Sequence, residues 1–151
     1  MRRILALLLF WPLAAPAQSL RATYEVHAAG MVILELDARF DLAPGGYGVE
    51  TRLRTRGIAA TFVSGQQTSR VEGGWNGASA LPARYVSEGV WRGNARRIAL
   101  DWQDRAPRVL DLTPPETEER EPVPEAMKRG TTDVLSALAT LVRRPRSAPI
   151  T

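Results

Sequence analysis

The chain has 151 residues, of which 44% are hydrophobic and 24% charged, a composition typical of one globular domain. It contains no cysteine, which excludes disulfide bonds, cysteine-based zinc sites, iron–sulfur clusters and thiol nucleophiles. The formal net charge is +4, but without Arg2 and Arg3 the chain carries 18 basic against 16 acidic residues. Because nearly every base is arginine, the high isoelectric point is no argument for nucleic acid binding.

The first 17 residues have the layout of a secretory signal peptide. Arg2 and Arg3 begin it, an apolar run over 4–13 follows, and Ala15-Pro16-Ala17 is a small-x-small cleavage site. About ten apolar residues broken by Pro12 fall short of the roughly 20 that span a bilayer. We therefore expect 1–17 to be a signal peptide and 18–151 to be one exported, β-rich domain that does not span the membrane.

Alternation of apolar and polar residues predicts about seven strands. The clearest is 32–42, and a turn at Ala43-Pro44-Gly45-Gly46 leads into a second strand over 47–55. The other predicted strands are 22–28, 66–75, the two arms of a hairpin around 92–95, and 108–113, which ends at Pro114-Pro115.

The charges of the first hairpin predict its register. Pairing Leu42 with Tyr47 sets oppositely charged residues across from each other on the outer face. The pairs are Arg39 with Glu50, Asp37 with Arg52 and Glu35 with Arg54. A slip of two residues in either direction brings like charges together, so we predict this register and a neutralised outer face. On this interpretation Arg52, Arg54 and Arg56 are part of that face, and a phosphate-binding stripe is the alternative.

The second hairpin is predicted to pair Trp91 with Arg96, which sets Tyr85 opposite Trp102 and gathers aromatic rings on one face. A half-open sheet has an interior that a ligand can share with the core. The candidate ligand-binding residues on this concave face are Trp75, Tyr85, Trp91, Trp102 and Leu138. For the four aromatic residues, an ordinary packed core is the alternative.

A helix is predicted near the end of the chain. Thr131 or Thr132 can cap it, and Asp133 in the first turn suits the positive end of its dipole. Its apolar stripe, expected to dock on the sheet, consists of Val134, Leu135, Leu138, Leu141 and Val142. A lid over a ligand cavity is the alternative role, and the apolar segment 57–63 is either a helical turn or a loop. The predicted fold is mainly β, a single curved antiparallel sheet resembling a half-open barrel, with one C-terminal amphipathic helix packed on it.

Candidate catalytic and metal-binding residues are sparse. His27 is the only histidine, and alternation in the first strand directs it towards solvent. A triad with Ser64 or Ser136 and Asp133 lacks both a nucleophile elbow and a flanking signature. The acidic run is interpreted as a solvated loop rather than a cation site; it contains Glu116, Glu118, Glu119 and Glu121. We therefore assign no catalytic, metal-binding or cofactor-binding residue and expect neither a cofactor nor enzymatic activity.

Several segments of the chain form a recognisable set. They are Tyr24-Glu25-Val26 with Gly30, Arg54-Thr55-Arg56-Gly57, Pro82 with Tyr85 and Ser87, Arg120-Glu121-Pro122-Val123-Pro124, and the stretch from Gly130 to Leu138. Together they resemble the exported bacterial proteins grouped as domain of unknown function 3108. The resemblance implies a location in the periplasm of a Gram-negative bacterium and a fold similar to that of periplasmic lipoprotein carriers, whose curved sheet holds acyl chains. Similar proteins generally continue with further strands after the helix, so it also implies a member truncated at Thr151.

The expected function is a non-enzymatic binding module for an apolar ligand, lipid or lipoprotein in the cell envelope. The first alternative is a scaffold that meets another envelope protein through a sheet edge, and the second is a small hydrolase. An open apolar cavity would favour the first function, and a filled interior with an exposed edge strand would favour the scaffold. A serine beside His27 would favour the hydrolase.

Overall fold

Seven antiparallel strands form one sheet in the computed structural model, which describes residues 18–115 and 123–143. The strands lie side by side in chain order: β1 Gln18–Ala28, β2 Met31–Ala43, β3 Gly46–Thr55, β4 Gly65–Asn76, β5 Ser79–Trp91, β6 Asn94–Gln103 and β7 Ala106–Thr113. The helices are α1 Ala59–Phe62, α2 Glu125–Lys128 and α3 Val134–Arg143. The prediction of a mainly β fold with a C-terminal helix on the sheet is confirmed. The predicted signal peptide and the acidic run over 116–121 lie outside the described residues.

The register predicted for the first hairpin is confirmed. Leu42 lies opposite Tyr47, and the three predicted charge pairs occupy facing positions on β2 and β3. Not every ion pair joins two facing residues, because a long arginine side chain can reach an acid beyond the residue that faces it. Arg54 bonds to Glu35 as expected, whereas Arg39 bonds to Asp41 at 2.9 Å along its own strand.

The register predicted for the second hairpin is wrong by two residues. Trp91 lies opposite Asn94 rather than Arg96, and Tyr85 lies opposite Leu100 rather than Trp102. The reason is the turn: Arg92 and Gly93 both have positive φ, +50° and +77°, so two residues connect the strands instead of four. Such a turn matches the right-handed twist of paired strands. Because the shift is two residues, every side chain keeps its predicted face.

Helix α3 is capped by Asp133 rather than by a threonine. The backbone N–H of Ser136 donates to Asp133 Oδ1 at 2.9 Å, while the hydroxyl of Thr131 donates to the carbonyl of Lys128. The helix begins at Val134, so Asp133 occupies the position from which a side chain reaches the third helical N–H. The segment 57–63, undecided from sequence, contains the short helix α1.

The predicted docking stripe of α3 is also wrong in part. Leu135 is 5% exposed and Val142 packs against the core, but Val134, Leu138 and Leu141 are 66%, 37% and 60% exposed. The most deeply buried residues of α3 are small: Ser136 and Ala139 are both 0% exposed. Small side chains allow a helix axis to lie close to a sheet. Because Ser136 and Ala139 occupy the side of α3 that faces the sheet, the larger side chains of Val134, Leu138 and Leu141 project away from it.

The core lies between α3 and one face of strands β2 to β5. Its sheet residues alternate along the strands, as a half-buried antiparallel sheet requires. The buried members are Ala38, Phe40, Leu42, Tyr47, Val49, Val71, Ala80, Leu135 and Ala139. The opposite face of the same strands carries the charged residues, so the sheet has one apolar face and one charged face.

Candidate functional site

The apolar face of the sheet extends beyond the area that α3 covers. Five large side chains share this face with Phe40 and Val49, lie outside the core beneath α3 and are half-buried. We call them the apolar shelf: Leu34, Leu36, Leu53, Trp91 and Ile98. Leu36 and Leu53 face each other across β2 and β3, which makes their side chains neighbours. An apolar ligand that lay on the shelf would therefore have part of its surface removed from water.

A small polar cluster on β4 and β5 extends from the core side into the shelf, where Gln67 faces Leu53. The hydroxyls of Ser69 and Ser87 lie 2.8 Å apart across β4 and β5, and both residues are buried. The side-chain amide of Gln67 donates to Ser87 at 3.0 Å and to Ser69 at 3.3 Å. An apolar surface with a few fixed polar groups is the usual composition of a small-molecule binding site.

Two contacts fix the position of the Trp91 ring on the shelf. Its indole N–H donates to the side-chain carbonyl of Gln67 at 3.3 Å. Its ring lies against Gly65, where a Cβ atom would come within 2.1 Å of ring atom Cε3. The glycine thus provides the space for the ring to lie flat on β4.

The other sequence-predicted ligand residues occupy different places on the apolar side. Trp75 packs on the core, with its ring 4.8 Å from that of Tyr47, its N–H bonded to the Ala43 carbonyl, and the guanidinium of Arg143 3.9 Å from its ring centre. Tyr85 also packs against the core, and the N–H of Trp102 donates to the carbonyl of Thr131 at 3.2 Å. Leu138 is part of the exposed stripe of α3. The structure therefore does not gather the five into one site, and their role in ligand binding stays a prediction.

A buried hydrogen-bonded chain anchors α3 on the core. The hydroxyl groups of Tyr47 and Ser136 lie 2.6 Å apart, and Ser136 also donates to the carboxylate of Asp133. Burial raises the pKa of Tyr47 to about 12; the charge of Asp133 adds to the rise, and the hydrogen bond with Ser136 opposes it. Since Ser136 is fully buried, this chain holds the helix in place and does not present a nucleophile to a substrate.

The charged face is a network of ion pairs, as the sequence predicted. Arg54 and Arg56 both bond to Glu35, whose side chain is only 14% exposed, and Arg52 bonds to Glu50 at 2.8 Å. The hydrogen bonds from Arg56 and Arg54 lower the pKa of Glu35 to about 2. The three arginines are neutralised by acids of the same face, which confirms the interpretation as a balanced outer surface.

A hollow of about 990 Å³ lies on this charged face. Bases and acids alternate along it, from Arg21 and Asp37 on one side to Glu88 and Arg97 on the other. Its walls, within the described ranges, include none of the five sequence-predicted ligand residues. From the sequence, the concave surface was expected on the aromatic side; the hollow lies instead on the opposite, charged face.

The residues considered for catalysis lie apart from one another in the structure. His27 contacts Glu25 at 3.4 Å on β1, whereas Ser136 bonds to Tyr47 and Asp133 beneath α3. Across residues 18–115 and 123–143, no three histidine or acidic side chains are grouped so that they could hold a metal ion. Among the described helices, none has both the length and the apolar character needed to cross a membrane.

Comparison with known proteins identifies no relative. No protein-family model matches the chain, and neither the curated proteins nor the solved structures include a significant match. The resemblance to domain of unknown function 3108 therefore stays a prediction.

Sequence reasoning missed the polar cluster of Gln67, Ser69 and Ser87. A signal was present, because Gln67 and Ser69 alternate with the same period as Val71 and so share its inward face. Their mutual contact depends on the β4–β5 register, which the sequence analysis did not predict.

Proposed function

We propose that the protein is a non-enzymatic binding module that holds an apolar ligand, a lipid or the acyl chains of a lipoprotein, against its apolar shelf. The observation that carries the proposal is the position of the shelf: large side chains on the inner face of the sheet lie beyond the helix that covers the rest of that face. Apolar surface left open in this way marks interaction sites in proteins.

The shape of the shelf suggests the kind of ligand. It runs over β2 to β6 as an open surface, and an extended acyl chain can lie across such strands. Gln67 lies between Leu53 and Trp91 of the shelf, and Ser69 and Ser87 lie on its core side, so these amide and hydroxyl groups could bond to the polar end of a lipid. Export to the periplasm after removal of residues 1–17 is part of the proposal, supported by the sequence of the leader and by the family resemblance.

The test is binding of a fluorescent fatty acid, with lipid that co-purifies from the envelope identified by native mass spectrometry. Leu53→Gln replaces a shelf residue and should weaken binding by about tenfold, which corresponds to the ~1.4 kcal/mol expected from part of one leucine contact. Val90→Gln is the matched control, because Val90 is 40% exposed and lies on the opposite face of β5 from Trp91. Wild-type protein that binds no fatty acid and carries no lipid would contradict the proposal.

The second candidate function is a scaffold that binds an envelope protein through a sheet edge. The observation that favours it is β7, which pairs within the described part of the chain only with β6 and exposes Val109 and Leu110 by 58% and 48%. An extended segment of another protein could add to such an edge as a further strand.

This scaffold function predicts a different pattern of variants. Leu110→Lys should block strand addition, because a lysine on an edge strand opposes pairing. After cross-linking in the envelope, the partner protein should be recovered with the Leu53→Gln variant and not with the Leu110→Lys variant. The reverse pattern would favour the shelf.

A further inference from the structure

Strand β1 is an outer strand with the features of a pairing surface. In the sheet formed by the described residues, β1 has a neighbour on one side only, so a row of backbone groups along its 11 residues faces outwards. Its apolar side is exposed as well: Leu20, Tyr24 and Val26 are 40%, 56% and 45% exposed. Proteins normally protect a long edge strand of this kind, because it is a template for another chain.

Two charges on the other side of β1 lie directly opposite like charges on β2. The register places Arg21 opposite Arg39 and Glu25 opposite Glu35, and like charges at facing positions are unfavourable. The residues of β2 have other partners: Arg39 bonds to Asp41, and Glu35 bonds to two arginines of β3 and its following turn. Directly across the strand pair, Arg21 and Glu25 therefore face their own sign. Arg21 interacts with Asp41 only along a diagonal, and Glu25 contacts His27 of its own strand at 3.4 Å.

The same two charges are complementary to a second copy of β1. If two β1 strands lie antiparallel with Thr23 on the two-fold axis, Arg21 of each copy faces Glu25 of the other. On the apolar side, Leu20 then faces Val26 and Ala22 faces Tyr24, a small residue against a large one. Shifting the register by two residues sets Arg21 opposite Thr23 or His27 and removes both ion pairs.

We propose that the protein forms a two-fold dimer through β1, with Thr23 at the axis and two Arg21–Glu25 ion pairs across it. The pairing joins the two sheets into one continuous sheet and gives the exposed apolar side chains of each β1 strand neighbours on the other. A second copy is the partner because the charge pattern of β1 is complementary to itself on reversal, which is the condition for an isologous interface. The proposal concerns β1 and is independent of ligand binding at the shelf.

The first experiment measures molar mass in solution as a function of concentration. Wild-type protein should be dimeric, and Arg21→Glu or Glu25→Arg alone should weaken the dimer at least about tenfold, because like charges then meet twice. A mixture of the two single variants should form a heterodimer, since the acids of one chain then face the bases of the other. The double variant should regain the homodimer for the same reason.

Controls separate loss of pairing from loss of folding. Arg92→Glu reverses a charge in the exposed β5–β6 turn and should leave the dimer unchanged. The melting temperature of Arg21→Glu should be retained when measured at a concentration where wild type is monomeric, because the substitution also removes the like charge facing Arg39.

The second experiment tests the register. The chain has no cysteine, so Thr23→Cys introduces a single thiol per chain. The proposed axis brings the two Cα atoms of residue 23 to about 4.5 to 5.5 Å from each other. That distance suits a disulfide bond. Ser19→Cys is the matched control, because its two copies would be offset by ~27 Å along the strands.

Under mild oxidation the Thr23→Cys protein should cross-link and the Ser19→Cys protein should not. A monomeric wild type would overturn the proposal. So would single variants that mix without forming a heterodimer, or Ser19→Cys chains that cross-link as fast as Thr23→Cys chains.

Discussion

Two leucines of α3 provide a direct test of how the helix is docked. Leu135 is 5% exposed and lies in the core, whereas Leu138, one turn further on, is 37% exposed. Leu135→Ala leaves a cavity between helix and sheet, and such a change typically costs about 2 to 5 kcal/mol. Leu138→Ala opens no enclosed cavity, because water reaches the site, so it should cost only the transfer of partly buried surface, about 1 kcal/mol.

The measurement is thermal unfolding of both variants followed by circular dichroism. For a chain of this size ~1 kcal/mol corresponds to roughly 3 to 5 °C, so Leu135→Ala should lower the melting temperature by about 10 °C and Leu138→Ala by about 4 °C. Equal losses, or a larger loss for Leu138→Ala, would refute the orientation of α3. Altered uptake of a fluorescent fatty acid by Leu138→Ala at near-normal stability would support the lid role considered from the sequence.

Three further predictions concern individual contacts. Because the folded-state pKa of Tyr47 is raised to about 12 from 10, wild-type stability should fall as the pH rises above 10. Tyr47→Phe should lose about 1 kcal/mol at neutral pH and show a shallower alkaline decline, which urea unfolding at each pH would measure; an unchanged decline would contradict the burial of this hydroxyl. Glu35, whose pKa is lowered to about 2 from 4.5, should contribute stability above pH 4.5 that disappears as the pH falls towards 2, so wild type and Glu35→Gln should differ in melting temperature at pH 7 and converge near pH 2. Gly65→Ala should displace the ring of Trp91, because the added Cβ would lie 2.1 Å from it; a red-shifted tryptophan emission is expected, and an unchanged spectrum would count against the packing of the shelf.

Local patterns were sufficient to predict the strands and one of the two registers. In β2 and β3 the apolar period and the facing charges agree, so a single pairing satisfies both faces. In β5 and β6 the facing charges also favour the observed register, which pairs Glu88 with Arg97 and Arg84 with Asp101, but the prediction was made from the turn and the aromatic residues alone. The observed pairing is closed by Arg92 and Gly93, which both adopt positive φ. The residue types were not used to predict that turn conformation, so the loop predicted between β5 and β6 was two residues too long.

The site was less predictable than the sheet because it depends on which surface the helix leaves open. Trp75, Tyr85 and Trp91 are alike in sequence pattern, yet α3 lies over the core that the first two contact and Trp91 remains on the shelf. The decisive residues are Ser136 and Ala139, whose small size brings α3 against β3 and β5. Residue patterns alone indicate that a helix is amphipathic but do not say which of two adjacent stripes meets the sheet.

The sequence by itself determined the mainly antiparallel architecture, the two faces of the sheet and the presence of the C-terminal helix, because alternation and helical spacing are properties of neighbouring residues. The tertiary structure decided the rotation of α3, the cap at Asp133, the polar cluster around Ser69 and Ser87, and the position of the hollow on the charged face. Apart from the cap, which is a local choice between neighbouring polar residues, each of these depends on contacts between residues far apart in the chain, where side-chain size and hydrogen bonding outweigh local preference.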